Sequence, residues 1–148
     1  MSIVIKNKKA NFDYQIKDKL EAGLVLEGWE VKAILAHRVS LAESYIVFKN
    51  GEAFWVGATI TPLNETSTHK KITPLRQRKL LLNVREIDRS VGIIERQGLT
   101  CVPLSITKVR GRLKLNIGIA QGKNNFDKRQ SIKEKEQKRD LSRALKNS

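Results

Sequence analysis

The chain has 148 residues, with 29 lysines and arginines against 15 aspartates and glutamates, a net charge of +14, and 40% hydrophobic residues. This length fits one domain with one self-sufficient core, and no apolar run approaches the roughly 20 residues of a membrane-spanning helix. The single cysteine, Cys101, excludes an internal disulfide; it suits a reducing cytoplasm, with a small apolar filler inside a strand as its default role.

The start, "MSIVIKNKKANFDY", lacks the charged segment and long apolar run of a secretory signal, so a cytoplasmic location is expected. Within it, "NKKANFDY" combines amide and ammonium donors with Phe12 and Tyr14. "AGLVLEGWEVKAIL" adds two apolar stretches on either side of Gly28. The spacing of "SLAE", Ser40 to Glu43, is that of a capping box and predicts a short helix. "SYIVFKNGEAFWVG" reads as a hairpin turning at Asn50-Gly51, since both residues accept the positive φ of a tight turn.

"HKKITPLRQRKLLL" then supplies His69, Lys70, Lys71, Arg76, Arg78 and Lys79. These donors can bridge phosphates, and arginine planes can stack on unpaired bases. Leu80, Val84, Ile87, Val91 and Ile94 recur at helical spacing, with Gly98 placed as a stop. "TCVPLSIT" puts Val102, Leu104 and Ile106 on one face of a strand. "RLKLNIGIA" puts Leu113, Leu115, Ile117 and Ile119 on one side, with Lys114 and Asn116 on the other. Gly111 between these runs predicts a second hairpin. The expected fold is mainly β: a small antiparallel barrel with about three helices packed outside.

Apolar patterning stops at Gly122. Residues 1–122 form the expected globular domain, with 20 basic and 11 acidic residues; residues 123–148 form a tail with 9 basic and 4 acidic. Charge is therefore densest at the end, and such an excess favours a polyanion, commonly a phosphate backbone. The tail carries charge pairs at helical spacing, Glu134–Lys138 and Asp140–Arg143 among them, but few apolar side chains. It is expected to be disordered when free and helical against a partner.

Chemistry beyond binding finds little support. "GIAQGKN" has three residues between its glycines where a phosphate loop needs four, and Asn124 follows the lysine. His37, His69 and Cys101 show no paired ligand spacing, so neither metal nor cofactor is expected. No nucleophile-and-base set stands out, and Glu27 with Glu30 is too small an acidic group for a metal nuclease. The expectation is a non-catalytic RNA binder. A general single-strand binder and an RNA-processing enzyme stand as alternatives, although eight aromatics are few for a stacking-dominated binder.

Six segments carry a resemblance: "NKKA", "EAGLVLEGWEVKA", "NGEAFWVGATITPL", "RKLLLNVREID", "GLTCVPL" and "GKNNFDKR". In order and spacing they resemble the SmpB family of SsrA-binding proteins, from about Asn7 into the tail. The resemblance implies an OB-like barrel that binds the tRNA-like domain of tmRNA. It implies that the protein accompanies the alanylated RNA, with elongation factor Tu, to stalled ribosomes for rescue by trans-translation, standing in for the anticodon arm. The implied RNA-facing residues are Asn7, Lys8, Lys9, Glu21, Glu30, Lys32, Arg78, Lys79, Leu81 and Lys114. In the tail, Lys123, Asp127, Lys128 and Arg129 would engage small-subunit RNA at the decoding centre, with the tail helical in the empty message channel. A monomer without membrane contact is expected. Three departures stand out: Asn124 where the family usually repeats lysine, Ala33 for serine, and Thr107 for tyrosine.

Overall fold

The computed structural model describes residues 2–63 and 73–122. In chain order the elements are β1 (Ser2–Lys6), α1 (Lys8–Asp13), β2 (Tyr14–Leu24), α2 (Gly28–Leu35), β3 (Val39–Ser40) and β4 (Tyr45–Lys49). There follow β5 (Glu52–Val56), β6 (Thr59–Ile60), β7 (Arg78–Leu81), α3 (Val84–Gln97), β8 (Thr100–Val109) and β9 (Arg112–Gly122). Seven strands form one antiparallel sheet in the order β1-β8-β9-β2-β7-β5-β4, and β3 pairs with β6 beside it. The sheet curls until β4, at one edge, lies against β8 near the other. This is the mainly β, barrel-like architecture that the sequence predicts, with three helices among the described residues where about three are expected.

Both hairpins fall where their turn residues place them. Asn50 and Gly51 adopt φ of 52° and 74°, joining β4 to β5, a backbone that glycine takes without a Cβ penalty. Arg110 and Gly111 turn β8 into β9. Along β9 the period-two pattern holds, since Leu113, Leu115, Ile117 and Ile119 all enter the core while Lys114 and Asn116 face outward. Each such aliphatic side chain contributes about 1.5–3 kcal/mol when fully buried.

Other segments depart from the expected patterns. Leu80 belongs to β7 and is buried there, while Asn83 caps α3 by accepting from the Glu86 amide at 2.8 Å. The helical stripe therefore starts later, at Ile87, and Val84 is exposed. Gly98 does end α3, in the left-handed region. "SLAE" forms no helix: Ser40 pairs in β3, and Leu41 turns inward so that its carbonyl accepts from both the backbone and hydroxyl of Ser44. Ser44 Oγ in turn accepts from the buried Trp55 indole at 2.9 Å, which fixes a turn in place of a cap. In β8, a register shift between Pro103 and Ser105 splits the expected face. Val102 and Leu104 join an outer cluster with Ala10 and Ala120, whereas Ile106 joins the main core.

Two segments read only as apolar or basic runs are helices. α2 turns Trp29, Glu30, Ala33 and Ile34 inward, and the Glu30 carboxylate accepts from the Glu27 amide at its start (2.8 Å). α1 is six residues long and lies over the outer cluster, with Tyr14, Ile16 and Leu104 around it. It covers the half of the sheet's outer face nearest the β2 start and leaves the other half open.

Candidate nucleic-acid interface

The open half of the outer face is built by strand alternation. On β2, Ala22 enters the core, so Glu21 and Gly23 point out. Lys114 on β9 stands opposite Gly23, and Asn116 opposite Glu21. On β7, Arg78 and Leu80 point in while Lys79 and Leu81 point out. Gly23 pairs with Leu81, and a Cβ at Gly23 would come within 3.1 Å of the Leu81 Cβ. Glycine therefore lets Leu81 lie across β2, where it stays 56% exposed. The strands thus bring Glu21, Lys79, Leu81 and Lys114 together on one surface, although they come from three separate parts of the sequence. Asn116 donates to Ser105 and Thr107 on the neighbouring strand, which gives the Thr107 hydroxyl a partner.

Three expected contact residues lie inside the protein. Asn7 is 8% exposed; its side chain accepts from the Ala10 amide at 3.3 Å and donates to the Pro103 carbonyl at 2.8 Å. It caps α1 and ties it to β8. Glu30 and Arg78 are both fully buried and face each other, with Arg78 Nε donating to Glu30 Oε2 at 2.7 Å. The remaining Arg78 nitrogens donate to the carbonyls of Ala58 (2.7 Å) and Pro74 (2.8 Å). Its guanidinium also lies 5.9 Å from the Trp55 ring centroid. These three side chains, expected among the RNA-facing set, are buried and spend polar atoms on partners within the fold.

The buried pair also holds a second cation. Arg76 donates to Glu30 Oε1 and, at 3.4 Å, to the Val25 carbonyl, and its Nε lies 3.8 Å from Glu27 Oε1. Burial pushes the Glu30 carboxyl up, but bonds from Arg76, the Glu27 amide and Arg78 outweigh it and hold the group below its ordinary value. Burial lowers Arg78 from its ordinary value, yet a guanidinium remains charged, so the pair is ionic. Arg76 is thereby aimed at the edge of the open face while its neighbour secures the barrel. The sequence reading placed Arg76 only within a basic run; the signal that it differs is the Glu27-x-x-Glu30 start of α2 lying opposite it.

The other expected residues are exposed. Lys8 and Lys9 stand on α1, and Lys9 pairs with Glu43 at 3.1 Å, which raises its pKa. Lys32 stands on the outer side of α2. Lys79 pairs with Glu52 at 3.2 Å, both about half exposed, so the pair contributes little and opens readily. Lys123, Asp127, Lys128 and Arg129, together with His69, Lys70, Lys71 and Asn124, lie outside the described residues. Burial pushes the Cys101 thiol up to about 12, leaving it an inert core group. Among the described residues, no set of three or more His, Cys, Asp or Glu could hold a metal ion, and no helix is long and apolar enough to cross a membrane.

A family model described as "SmpB protein" matches residues 4–147. An SsrA-binding protein of Nitrosospira multiformis is 52% identical over 142 residues, covering 96% of this chain and 97% of the relative. One from Dechloromonas aromatica is 51% identical over 146 residues, covering 99% and 97%. A solved chain described as "tmRNA-SmpB: a journey to the center of the bacterial ribosome" superposes with a TM-score of 0.68 at 36% identity, covering 86% of this chain and 93% of that one.

Proposed function

The chain belongs to the SmpB family, and from that premise we infer that it binds tmRNA and serves trans-translation on the ribosome. The observation that carries the reading is the open half of the outer face, where Glu21, Lys79, Leu81 and Lys114 meet beside Arg76. Cations there neutralise phosphates, while Glu21 can accept from base amino groups and Leu81 can pack on a sugar or base. Its RNA target is the tRNA-like domain, whose folded shape presents phosphates at fixed spacing to a rigid sheet. Lys8, Lys9 and Lys32 extend the contact; Asn7, Glu30 and Arg78 position the elements that make it.

The tail completes the division of labour. Residues 123–148 combine high charge with few apolar groups, and their proposed destination is the empty message channel, where Lys123, Asp127, Lys128 and Arg129 engage the decoding centre. Delivery as a monomer, with alanylated RNA and elongation factor Tu, belongs to the same reading.

Affinity for a folded tRNA-like RNA, compared at fixed salt with unstructured RNA of equal length, tests the first part. Preference for the folded RNA is expected; equal affinities would identify a general single-strand binder. Truncation after Gly122 tests the second. It should leave tmRNA affinity intact and abolish tagging on stalled ribosomes, and tagging that persists would remove the tail from the mechanism.

A further inference from the structure

Beside the open face lies a groove of about 420 Å³, lined among others by Val25, Lys49, Glu52, Phe54, Arg76 and Lys79. We propose that this groove binds one unpaired guanine nucleotide of the RNA partner. The proposal rests on the RNA-binding reading above and names what that surface recognises besides phosphate.

The groove has the right size and the right mixture of surfaces. Its volume falls within the roughly 300–1,000 Å³ of sites that enclose small ligands. Phe54 points outward because its neighbours Ala53 and Trp55 fill the core, and it stands directly across from Lys79. Val25, 44% exposed, supplies a second apolar surface. An unstacked base needs such a platform, and aromatic rings provide it for any base.

Charge then sets the orientation. Lys49, Arg76 and Lys79 surround the groove with three cations. Arg76 is held in advance by Glu30 and the Val25 carbonyl, so its order is not lost on binding a phosphate. Another groove, between α3 and the β4–β5 turn, makes the contrast. It carries Asp88 and Glu95 against Lys49 and would repel a phosphate.

Among the described residues, Glu52 is the only carboxylate lining this groove, and it selects the base. A carboxylate only accepts hydrogen bonds. Guanine presents two neighbouring donors, N1–H and the N2 amino group, which match its two oxygens. Uracil presents one donor between two carbonyls, and adenine and cytosine set an acceptor beside their amino group. The Lys79–Glu52 pair is exposed and opens readily, freeing Lys79 for the phosphate and Glu52 for the base edge.

Amide NMR spectra of the full chain, titrated separately with guanosine monophosphate, uridine monophosphate and inorganic phosphate, test the site. Guanosine monophosphate should give saturable shifts at Phe54, Gln77 and Lys79, with affinity about tenfold or more above uridine monophosphate. Glu52→Gln should remove that preference, and Phe54→Ala should weaken both nucleotides; inorganic phosphate should perturb only the cations. Equal response to the two nucleotides overturns the proposal, as does absence of shifts at the groove in a chain that still binds tRNA-like RNA. Loss of binding to the tRNA-like RNA as well would locate the failure in the broader reading. Glu52→Gln removes one surface charge and keeps the test valid should Phe54→Ala fail to fold.

Discussion

The two faces of β7 stand in sharp contrast. Arg78 and Leu80 enter the barrel, where Arg78 has no exposed side-chain surface; Lys79 and Leu81, one residue along each, are open to solvent. Adjacent basic residues thus serve opposite ends. One cation is consumed by Glu30 and two carbonyls, and the other holds only an exposed glutamate. Burial and partner inventory, rather than charge, separate a cation that builds the barrel from one left open to a partner.

The strongest way to break this contrast is to remove one member of the buried pair. Arg78→Ala leaves Glu30 with one guanidinium partner in place of two, strips the Ala58 carbonyl of its side-chain donor, and leaves the Pro74 carbonyl with the Ile60 amide alone. It should cost about 3–5 kcal/mol in denaturant unfolding, as should Glu30→Ala. Replacing both together should cost much less than the sum, because neither mutant charge is then stranded. A loss below about 1 kcal/mol for either single change would mean the pair is not dry.

Acid sharpens the same point. The Glu30 carboxyl is held below its ordinary value by its donors, so its stabilising contribution is full above the ordinary glutamate range, about 4.3. That contribution is lost as pH falls through the lower folded value. The stability difference between the parent and Glu30→Gln should therefore be constant near neutrality and shrink only in acid below that range. A difference that declines between about pH 7 and 5 would contradict the direction of the shift.

Asn7 offers an intermediate effect. It was expected on the RNA side, yet its side chain caps α1 and donates to Pro103. Asn7→Ala should cost about 1–2 kcal/mol through the lost cap and the stranded carbonyl. Hydrogen exchange should quicken first in α1 and the adjoining part of β8, because the open half of the face does not depend on that contact.

What the sequence makes legible follows from how locally each feature is determined. The β4–β5 and β8–β9 hairpins are set by turn residues and by alternation within a few positions, and both are readable. α3 is readable from Ile87 onward but not at its start, because Leu80 repeats at helical spacing while belonging to a strand. α1 is one turn and a half, too short for any period to emerge. α2 is hidden because a buried glutamate interrupts its apolar face, and only the partners Arg76 and Arg78, 46 and 48 residues away, explain it. For the site, Lys114 is legible as the polar side of an alternating run, whereas Lys79 and Leu81 enter only through the basic run and the resemblance, because Leu80 between them repeats at helical spacing. The burial of Asn7, Glu30 and Arg78 is not legible, since it depends on partners supplied by distant segments. The tail's charge is plain in the composition, and its role awaits the truncation.

The smallest effect on stability carries the sharpest functional distinction. Lys79→Ala removes an exposed cation whose side-chain partner among the described residues is Glu52, so unfolding should change by less than about 0.5 kcal/mol. If Lys79 meets a phosphate, the slope of log affinity against log salt for the tRNA-like RNA should flatten by about one counterion, and weakening should be greatest at low salt. The Arg78→Lys variant supplies the matching control. It keeps a positive charge in the barrel while losing the geometry that serves two carbonyls and a carboxylate at once, so it should destabilise the protein and leave the slope of the folded fraction unchanged. Stability and salt dependence should thus move independently for two neighbours in the chain. Should Lys79→Ala leave the slope untouched, or Arg78→Lys alter it, the inward and outward faces of β7 would have to exchange the roles assigned to them.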